Sequence, residues 1–224
     1  MPDYFSHLIG AEKIYEALRG DERTKIVNKN LYLLGAQGGD VFFTYNLKLT
    51  KSNLGKEIHL MDAEQLFRRL ILGNMSYAAG FAAHYAFDAV LHPAIYAYER
   101  TKRSPYTHPK FERDLGLFVS RKYGMRRTIL PRDAVLACTY AVYDTVKHVE
   151  PRITVTGVER CLKRHFNYSR YMFTTKKQTF KCAYDFSTLS SAIEDAVTYG
   201  AKCVSHVLAG DIDPEVFDKQ FLQR

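Results

Sequence analysis

The sequence predicts an all-α protein, folded as a multi-helix bundle. Apolar residues recur at intervals of three and four over most of its 224 residues, as they do along the buried face of a helix. No run of alternating apolar and polar residues is long enough to predict a convincing sheet. Hydrophobic residues make up 46% of the chain, which suits a sizeable core, so we expect one domain over residues 1–224.

Helix-start signals and the apolar spacing together delimit the predicted helices. Asp62 and Gln65 form a capping box, in which the side chain of the first residue accepts from the backbone of the fourth. Pro109, Pro131 and Pro214 stand where a proline opens a helix. The predicted helices are 8–19, 62–91, 93–103, 109–123, 131–149, 155–166, 187–209 and 214–222.

Three features interrupt the helical pattern. The stretch LGAQGGDVFF, residues 34–43, contains three glycines and predicts a tight loop with exposed backbone around Asp40. Pro93 disfavours helical geometry at His92, so the helix before it should bend or end there. The stretch 167–186 mixes aromatic with basic residues and predicts either a nucleic-acid contact or an irregular surface segment whose rings fold inward; the second is the commoner case.

Charge and composition restrict the class of protein. Lys and Arg outnumber Asp and Glu by 32 to 24, a formal charge of +8, which favours anionic partners such as phosphate esters, nucleic acid or an acidic membrane surface. The amino terminus lacks a basic segment followed by an apolar one, so we expect no signal peptide and a cytoplasmic location. The apolar run 75–97 carries ionisable groups and predicts a buried helix, not a transmembrane segment. Four cysteines without a CxxC pair predict reduced, buried thiols.

Histidine and carboxylate residues recur at a spacing that suits metal binding. His84 with Asp88, and His108 with Glu112, are each four residues apart and would lie on one helical face. Imidazole and carboxylate groups are good zinc ligands, and several of them in one α-helical domain could hold more than one ion. One such pair alone is a weak signal, since it often arises by chance. The further candidates are His7, Asp40, His59 and His92.

The remaining histidines are His148, His165 and His206, which have no carboxylate at such a spacing. A lone histidine on an apolar face is usually a core side chain that bonds to a backbone carbonyl. We therefore expect these three residues to be structural.

Taken in order, the candidate ligands resemble the zinc-dependent phospholipase C family, whose fold is shared with the single-strand-specific zinc nucleases. An early His, an Asp after LGAQGGD, a later His, an HxxxD pair with a following His, and an HxxxE pair stand in that family's order. These motifs cover roughly residues 1–115, and the rest of the chain resembles the family only in its helical pattern. The resemblance implies an all-α bundle of that type.

The resemblance also implies two or three zinc ions. The ligands of the first would be Asp40, His59, His84 and Asp88; His7 would hold a second, with Asp88 as a bridge; His92, His108 and Glu112 would hold a third. The implied reaction is hydrolysis of a phosphodiester bond by metal-activated water. Asp40 and Asp88 would be its catalytic carboxylates, Asp40 as general base or water orienter and Asp88 as the bridge.

The sequence departs from the secreted phospholipases at two places. Those enzymes place a mature N-terminal Trp beside the early His, whereas this chain contains no Trp. Removal of Met1 would expose Pro2, and Asp3 lies nearby, so either could substitute for that group. The secreted enzymes also place an aromatic substrate contact after the loop aspartate, where this chain has Val41, so recognition of choline is not expected.

Three functions follow from the resemblance and the basic charge. A phospholipid or related phosphodiester ranks first as the substrate. A zinc-dependent nuclease that acts on single strands ranks second, since the same cluster serves both reactions and a basic surface containing Arg121, Lys122, Arg126 and Arg127 suits a polyanion. A non-catalytic zinc-binding protein is the third alternative, in which the coordination sites are closed.

Overall fold

Helices make up the fold, and the predicted all-α class is confirmed. The computed structural model describes residues 4–46, 52–102, 104, 106–174 and 179–219, without the side chains of 171–174. Within these ranges the chain forms no strand, and an isolated bridge pairs Asn46 with Asn53. The family-specific arrangement of the helices stays an expectation from the resemblance.

The helices follow one another with short connections. They are α1 Tyr4–Ala17, α2 Gly20–Lys25, α3 Lys29–Gly35, α4 Leu54–Leu60, α5 Ala63–Leu70, α6 Met75–Arg100, α7 Thr107–Lys122, α8 Arg132–Ala137, α9 Thr139–Val146, α10 Val155–Thr174 and α11 Ser190–Ala209. Two 3₁₀ helices lie at Gly38–Thr44 and Phe186–Leu189.

Helix α6 lies at the centre of the bundle. It packs against α11, α3, α1 and α7, and nearly all of its side chains from Ser76 to Ala89 are buried. A helix that is apolar on all sides must be covered by other elements, which explains why no amphipathic stripe marks it in the sequence. In the described part of the chain, no helix has the length and apolarity needed to span a membrane.

Two glycines allow α3 and α6 to approach closely. A Cβ atom at Gly80 would overlap the carbonyl oxygen of Tyr32, and one at Gly35 would overlap the carbonyl oxygen of Tyr77. Because these neighbours are main-chain atoms, neither helix can make room by moving a side chain. This contact fixes α6 against the segment that leads into the 3₁₀ helix Gly38–Thr44.

The predicted helix 62–91 is wrong as a single element, because it breaks between α5 and α6. Asp62 caps α5 as predicted, since its side chain accepts a hydrogen bond from the Gln65 amide at 2.9 Å. At the break, the Asn74 amide donates to Thr145 Oγ1 at 2.8 Å, and the Asn74 side chain caps α6. Gly73 lies against Thr145 with no room for a side chain. The break therefore depends on packing against α9.

The expected end of this helix at His92 is also wrong. Helix α6 continues through Pro93 to Arg100 and includes the region predicted as a separate helix, 93–103, as far as Arg100. A proline removes only its own N–H from the helix, while Leu91, His92 and Ile95 around it remain buried. Burial on both sides of Pro93 outweighs its poor helix propensity.

Other predicted helix boundaries also differ from those in the structure. The predicted helix 131–149 divides at Cys138 into α8 and α9, and helix α10 continues beyond the predicted end at 166. Helices α2, α3 and α4 were not predicted, since each has six or seven residues and too few turns to show a period. The predicted helix 214–222 is wrong over residues 214–219, where Pro214 begins a turn, and residues 220–222 lie outside the described residues.

The segment 167–186, predicted to be irregular, is helical as far as Thr174, and its described rings differ: Tyr168 and Phe180 are exposed, whereas Phe186 is buried and Tyr184 is half-buried. Tyr184 and Phe186 pack on Phe111 of α7, with ring centroids 4.7 and 4.9 Å apart. No aromatic platform for nucleic-acid bases therefore forms from these two rings. The four cysteines are free thiols; Cys138, Cys161 and Cys203 are buried as predicted, and Cys182 is half-buried.

Replacement of Gly80 by alanine tests the close contact between α3 and α6. We expect Gly80→Ala to lower the free energy of unfolding by about 1–3 kcal/mol, because the added methyl group overlaps the main chain of α3. Gly20→Ala is the control, since no atom lies within 4 Å of a Cβ there. Urea unfolding followed by circular dichroism measures both. Equal stabilities of the two variants would contradict this account of the contact.

Candidate metal centre

Helix α6 carries three of the predicted ligands on one buried stripe. His84, Asp88 and His92 are four residues apart and at most 4% exposed. His84 Nε2 lies 3.1 Å from Asp88 Oδ2, and His92 Nδ1 lies 3.3 Å from Asp88 Oδ1. The stripe stays intact because α6 remains helical through Pro93.

Two more imidazoles reach Asp88 from other helices. His7 of α1 places Nε2 3.3 Å from Asp88 Oδ1, and His59 of α4 places Nε2 3.6 Å from Asp88 Oδ2. The Gly55 carbonyl oxygen lies 2.6 Å from His59 Nδ1, which directs the opposite ring nitrogen towards the carboxylate. Each oxygen of Asp88 therefore faces two imidazole rings.

Asp40 joins this group from the 3₁₀ helix Gly38–Thr44. Its Oδ1 lies 3.4 Å from His59 Nε2, and the residue is only 3% exposed. The prediction of a loop with exposed backbone is wrong: the segment is a buried 3₁₀ helix that packs against α4, α6 and α10. The glycines leave room for neighbouring side chains to pack closely and do not expose the backbone.

The glycines before Asp40 make room for two imidazole rings. Gly38 has a φ of +50°, and a Cβ there would overlap the ring of His84. A Cβ at Gly39 would lie 2.7 Å from Cε1 of His59. The GlyGlyAsp sequence thus brings Asp40 into the same space as both rings.

A second group of ligands lies where α6 meets α7. Glu112 Oε1 lies 2.7 Å from His108 Nε2 and 3.6 Å from His92 Nε2. His92 links the two groups, since its Nδ1 faces Asp88 and its Nε2 faces Glu112. The His108 side chain is 22% exposed, which makes it the most accessible of the predicted ligands.

Glu99 belongs to this second group and was not predicted. Its Oε2 lies 3.2 Å from His108 Nδ1, on the side of the ring opposite Glu112. A carboxylate on the outer nitrogen fixes the orientation of a ligand histidine and raises its basicity. Glu99 and His108 lie nine residues apart on different helices, so no periodic spacing in the sequence connects them.

The structure therefore brings all eight predicted ligands together, and we call them the central cluster: His7, Asp40, His59, His84, Asp88, His92, His108 and Glu112. Within it, three sets of three ligand atoms each lie within 4.8 Å of one another. The sets are His59, His84 and Asp88; His92, His108 and Glu112; and His7, Asp40 and His84. Asp40 could therefore bind the same ion as His7 at least as readily as the same ion as His59.

The charges of the cluster depend on mutual compensation. Burial alone would lower the pKa of His59, but the carboxylates of Asp40 and Asp88 outweigh burial and raise it to about 10. Burial would raise the pKa of Asp88, yet the surrounding imidazoles hold it well below its usual range. The pKa of Glu112 likewise falls to about 2, although burial opposes this, because His108 and His92 stabilise the anion. Opposite charges thus compensate one another in the metal-free cluster, and a metal ion would bind its imidazoles in exchange for protons.

The cluster fits a divalent metal ion by three criteria. Neutral imidazole nitrogens and carboxylate oxygens are the donors that zinc prefers. His7 Nδ1 and Glu112 Oε2 are buried and have no hydrogen-bond partner among the described residues, which is costly for polar atoms in a core. A cavity of about 10 Å³ lies between His7, Asp88, His92 and Glu112, close to the volume that one small ion or water fills. These buried groups could hold metal ions.

His165, which was expected to be structural, is buried and lies near Asp40. It comes from α10 and lies with its Nε2 3.2 Å from Oε1 of the buried Gln37. Burial lowers the pKa of His165 to about 4, so the ring is neutral. Its place near Asp40 arises from the packing of α10, which the sequence does not reveal. His206, by contrast, lies with its Nδ1 3.2 Å from the Asp211 carbonyl oxygen.

A comparison of two glycine variants tests the packing of Gly38 on His84. Gly38 and Gly124 both have a positive φ, +50° and +61°, but no atom lies within 4 Å of a Cβ at Gly124. Alanine at either position pays the cost of left-handed backbone, about 1–2 kcal/mol. We expect Gly38→Ala to lose about 1–3 kcal/mol more in urea unfolding, because its methyl group displaces the His84 ring. Equal losses would show that the ring does not need this space.

Comparisons with known proteins yield no relative. No protein-family model matches the sequence, and no curated protein or solved structure matches the chain. The resemblance to zinc-dependent phospholipases thus rests on the ordered motifs of the central cluster alone.

Proposed function

We propose that the protein is a zinc-dependent hydrolase of phosphodiester bonds, similar in chemistry to phospholipase C. The observation that carries this proposal is the convergence of five imidazoles and three carboxylates on two adjoining groups, with His92 common to both. Adjacent metal sites that share ligands are the arrangement used for displacement at phosphorus. A protein that needs zinc only for stability requires one closed four-ligand site.

The residues of the central cluster form separate candidate ligand sets. His59, His84 and Asp88 would hold one ion, His92, His108 and Glu112 another, and His7 with Asp40 would complete the set. Bound divalent ions would lower the pKa of a water molecule and stabilise negative charge on phosphoryl oxygens.

Individual side chains prepare this chemistry. Burial holds the pKa of His84 below its usual value, so its ring is neutral and able to bind a cation. Asp40 directs Oδ1 towards His59 Nε2, and its second oxygen is the candidate to accept a proton from the attacking water. Glu99 orients His108 from outside the cluster. His108 lies at the exposed edge, where a substrate can approach.

Phosphodiesters rank first as substrates, with a phospholipid preferred because of the resemblance. The excess of basic residues suits the negative charge that every phosphodiester carries. The nuclease alternative gains no support from the rings of Tyr184 and Phe186, because they pack on Phe111 and are not free to stack on bases.

One observation favours the non-catalytic alternative. Seven of the eight cluster residues are at most 5% exposed, as expected for a closed metal site that serves stability or sensing. In that case the protein would bind zinc without turning over any diester. Hydrolysis assays on the zinc-loaded chain separate the two functions.

The assay uses bis(p-nitrophenyl) phosphate, a diester whose hydrolysis releases a coloured product. We expect turnover that EDTA abolishes and zinc restores. Asp88→Asn should reduce kcat/KM by at least about 100-fold, because a neutral amide is a poor ligand between cations. His108→Gln, at the half-exposed edge, should also reduce it and is less liable to unfold the chain.

His206→Gln is the matched control. The His206 ring lies beside Asp211 and outside the central cluster, so this variant should keep full activity and metal content. Circular dichroism confirms that each variant is folded. Turnover that survives EDTA, or a folded Asp88→Asn variant with normal turnover, would contradict the hydrolase. Tightly held zinc without turnover of a nitrophenyl, glycerophospholipid or oligonucleotide diester would assign the protein to the non-catalytic class.

A further inference from the structure

A second, larger cavity lies between the start of α10 and the end of the 3₁₀ helix Gly38–Thr44. Its volume is about 650 Å³, and no residue of the central cluster lines it. Its wall consists of Thr44 and Tyr45 from the end of the 3₁₀ helix, and of arginine and threonine residues from α10 and the turn before it. The cavity is thus a separate site.

The lining of this cavity is basic. Three arginines, Arg152, Arg160 and Arg164, face it, and no carboxylate is among its lining residues. Glu150 compensates Arg152, with hydrogen bonds of 2.7 and 2.6 Å from the guanidinium. Among the described residues, Arg160 and Arg164 form no ion pair, although several other cations of the chain do. The cavity therefore carries uncompensated positive charge.

Arg160 and Arg164 stand one turn apart on the same face of α10. Like charges at this spacing repel each other and destabilise a helix, unless an anion lies between them. The Arg164 guanidinium donates to the Thr44 carbonyl oxygen at 3.4 Å, which holds it at the cavity wall. Both side chains are exposed enough to meet a ligand from solvent.

The floor of the cavity is ordered by hydrogen bonds and close packing. The Thr154 amide donates to the Tyr45 hydroxyl at 3.1 Å, and Thr154 Oγ1 accepts from the Gly157 amide at 3.1 Å. A Cβ at Gly157 would lie 2.5 Å from Cε2 of Tyr45, so the ring rests directly on the first turn of α10. Thr44 and Thr156 add hydroxyl groups to the wall. Arginines and hydroxyls around one ordered concavity are the groups that recognise phosphate.

We propose that this cavity binds a phosphate group, held by the guanidinium groups of Arg160 and Arg164 and by the threonine hydroxyls of its wall. The ligand could be free inorganic phosphate or a phosphate monoester of a small molecule, since both present the same oxygens. Guanidinium binds these oxygens through paired, charge-assisted hydrogen bonds. The site does not depend on metal in the central cluster, so it stands whether or not the protein is a hydrolase.

Isothermal titration of the purified full-length chain with inorganic phosphate and with glycerol 3-phosphate tests the proposal. We expect binding of at least one of them, with Kd raised at least about 10-fold by Arg160→Gln or Arg164→Gln and binding lost in the double variant. Arg126→Gln, an exposed arginine in a loop outside the cavity, is the charge-matched control and should leave Kd unchanged. Tighter binding of the ester would identify a phosphorylated small molecule as the ligand, and tighter binding of inorganic phosphate would identify free phosphate.

His108→Gln separates this site from the central cluster, because phosphate held by metal there would be lost in that variant and retained in the arginine variants. We expect His108→Gln to retain phosphate binding and the double arginine variant to lose it. Absence of binding by either anion up to about 10 mM, or binding that the double arginine variant retains, would overturn the proposal. All the substituted arginines are exposed, so these variants should fold normally.

Discussion

The carboxylate of Asp88 is the group on which the rest of the site depends. It is 2% exposed and lies within 3.6 Å of imidazole nitrogens of His7, His59, His84 and His92. An isolated ionised carboxylate would be very costly in such a core. Imidazolium groups or metal ions must therefore compensate its negative charge. This requirement keeps α1, α4 and α6 packed around Asp88. The same side chain therefore contributes to the packing of three helices and to the candidate metal site.

Small residues elsewhere in the bundle make this arrangement sterically possible. Gly80 lets α3 lie against α6, and the chain then enters the 3₁₀ helix at the level of His84. Gly38 and Gly39 leave space for the rings of His84 and His59, so Asp40 can approach them. A side chain at any of these positions would separate elements that must touch. The glycines thus serve the site through packing as much as through backbone freedom.

Much of the site could be predicted from the sequence because its ligands lie at local spacings. His84 with Asp88, and His108 with Glu112, need only helical geometry to face one another, and the helices that carry them exist. The cap at Asp62 was likewise a local signal. Longer-range features were not accessible in this way. Helix α6 continues through the exposed Pro93 because Leu91, His92 and Ile95 around it are buried. Glu99 and His165 reach the cluster only through the packing of separate helices.

The central claim is that the cluster exists to bind metal, and metal content per chain tests it most directly. The measurement is elemental analysis of protein purified without added metal and without a histidine tag, with protein concentration determined by amino-acid analysis. The three sets of ligands predict two or three zinc ions per chain. No bound zinc, even after zinc is added back and the excess removed, would contradict the account and leave these residues as polar groups of the core.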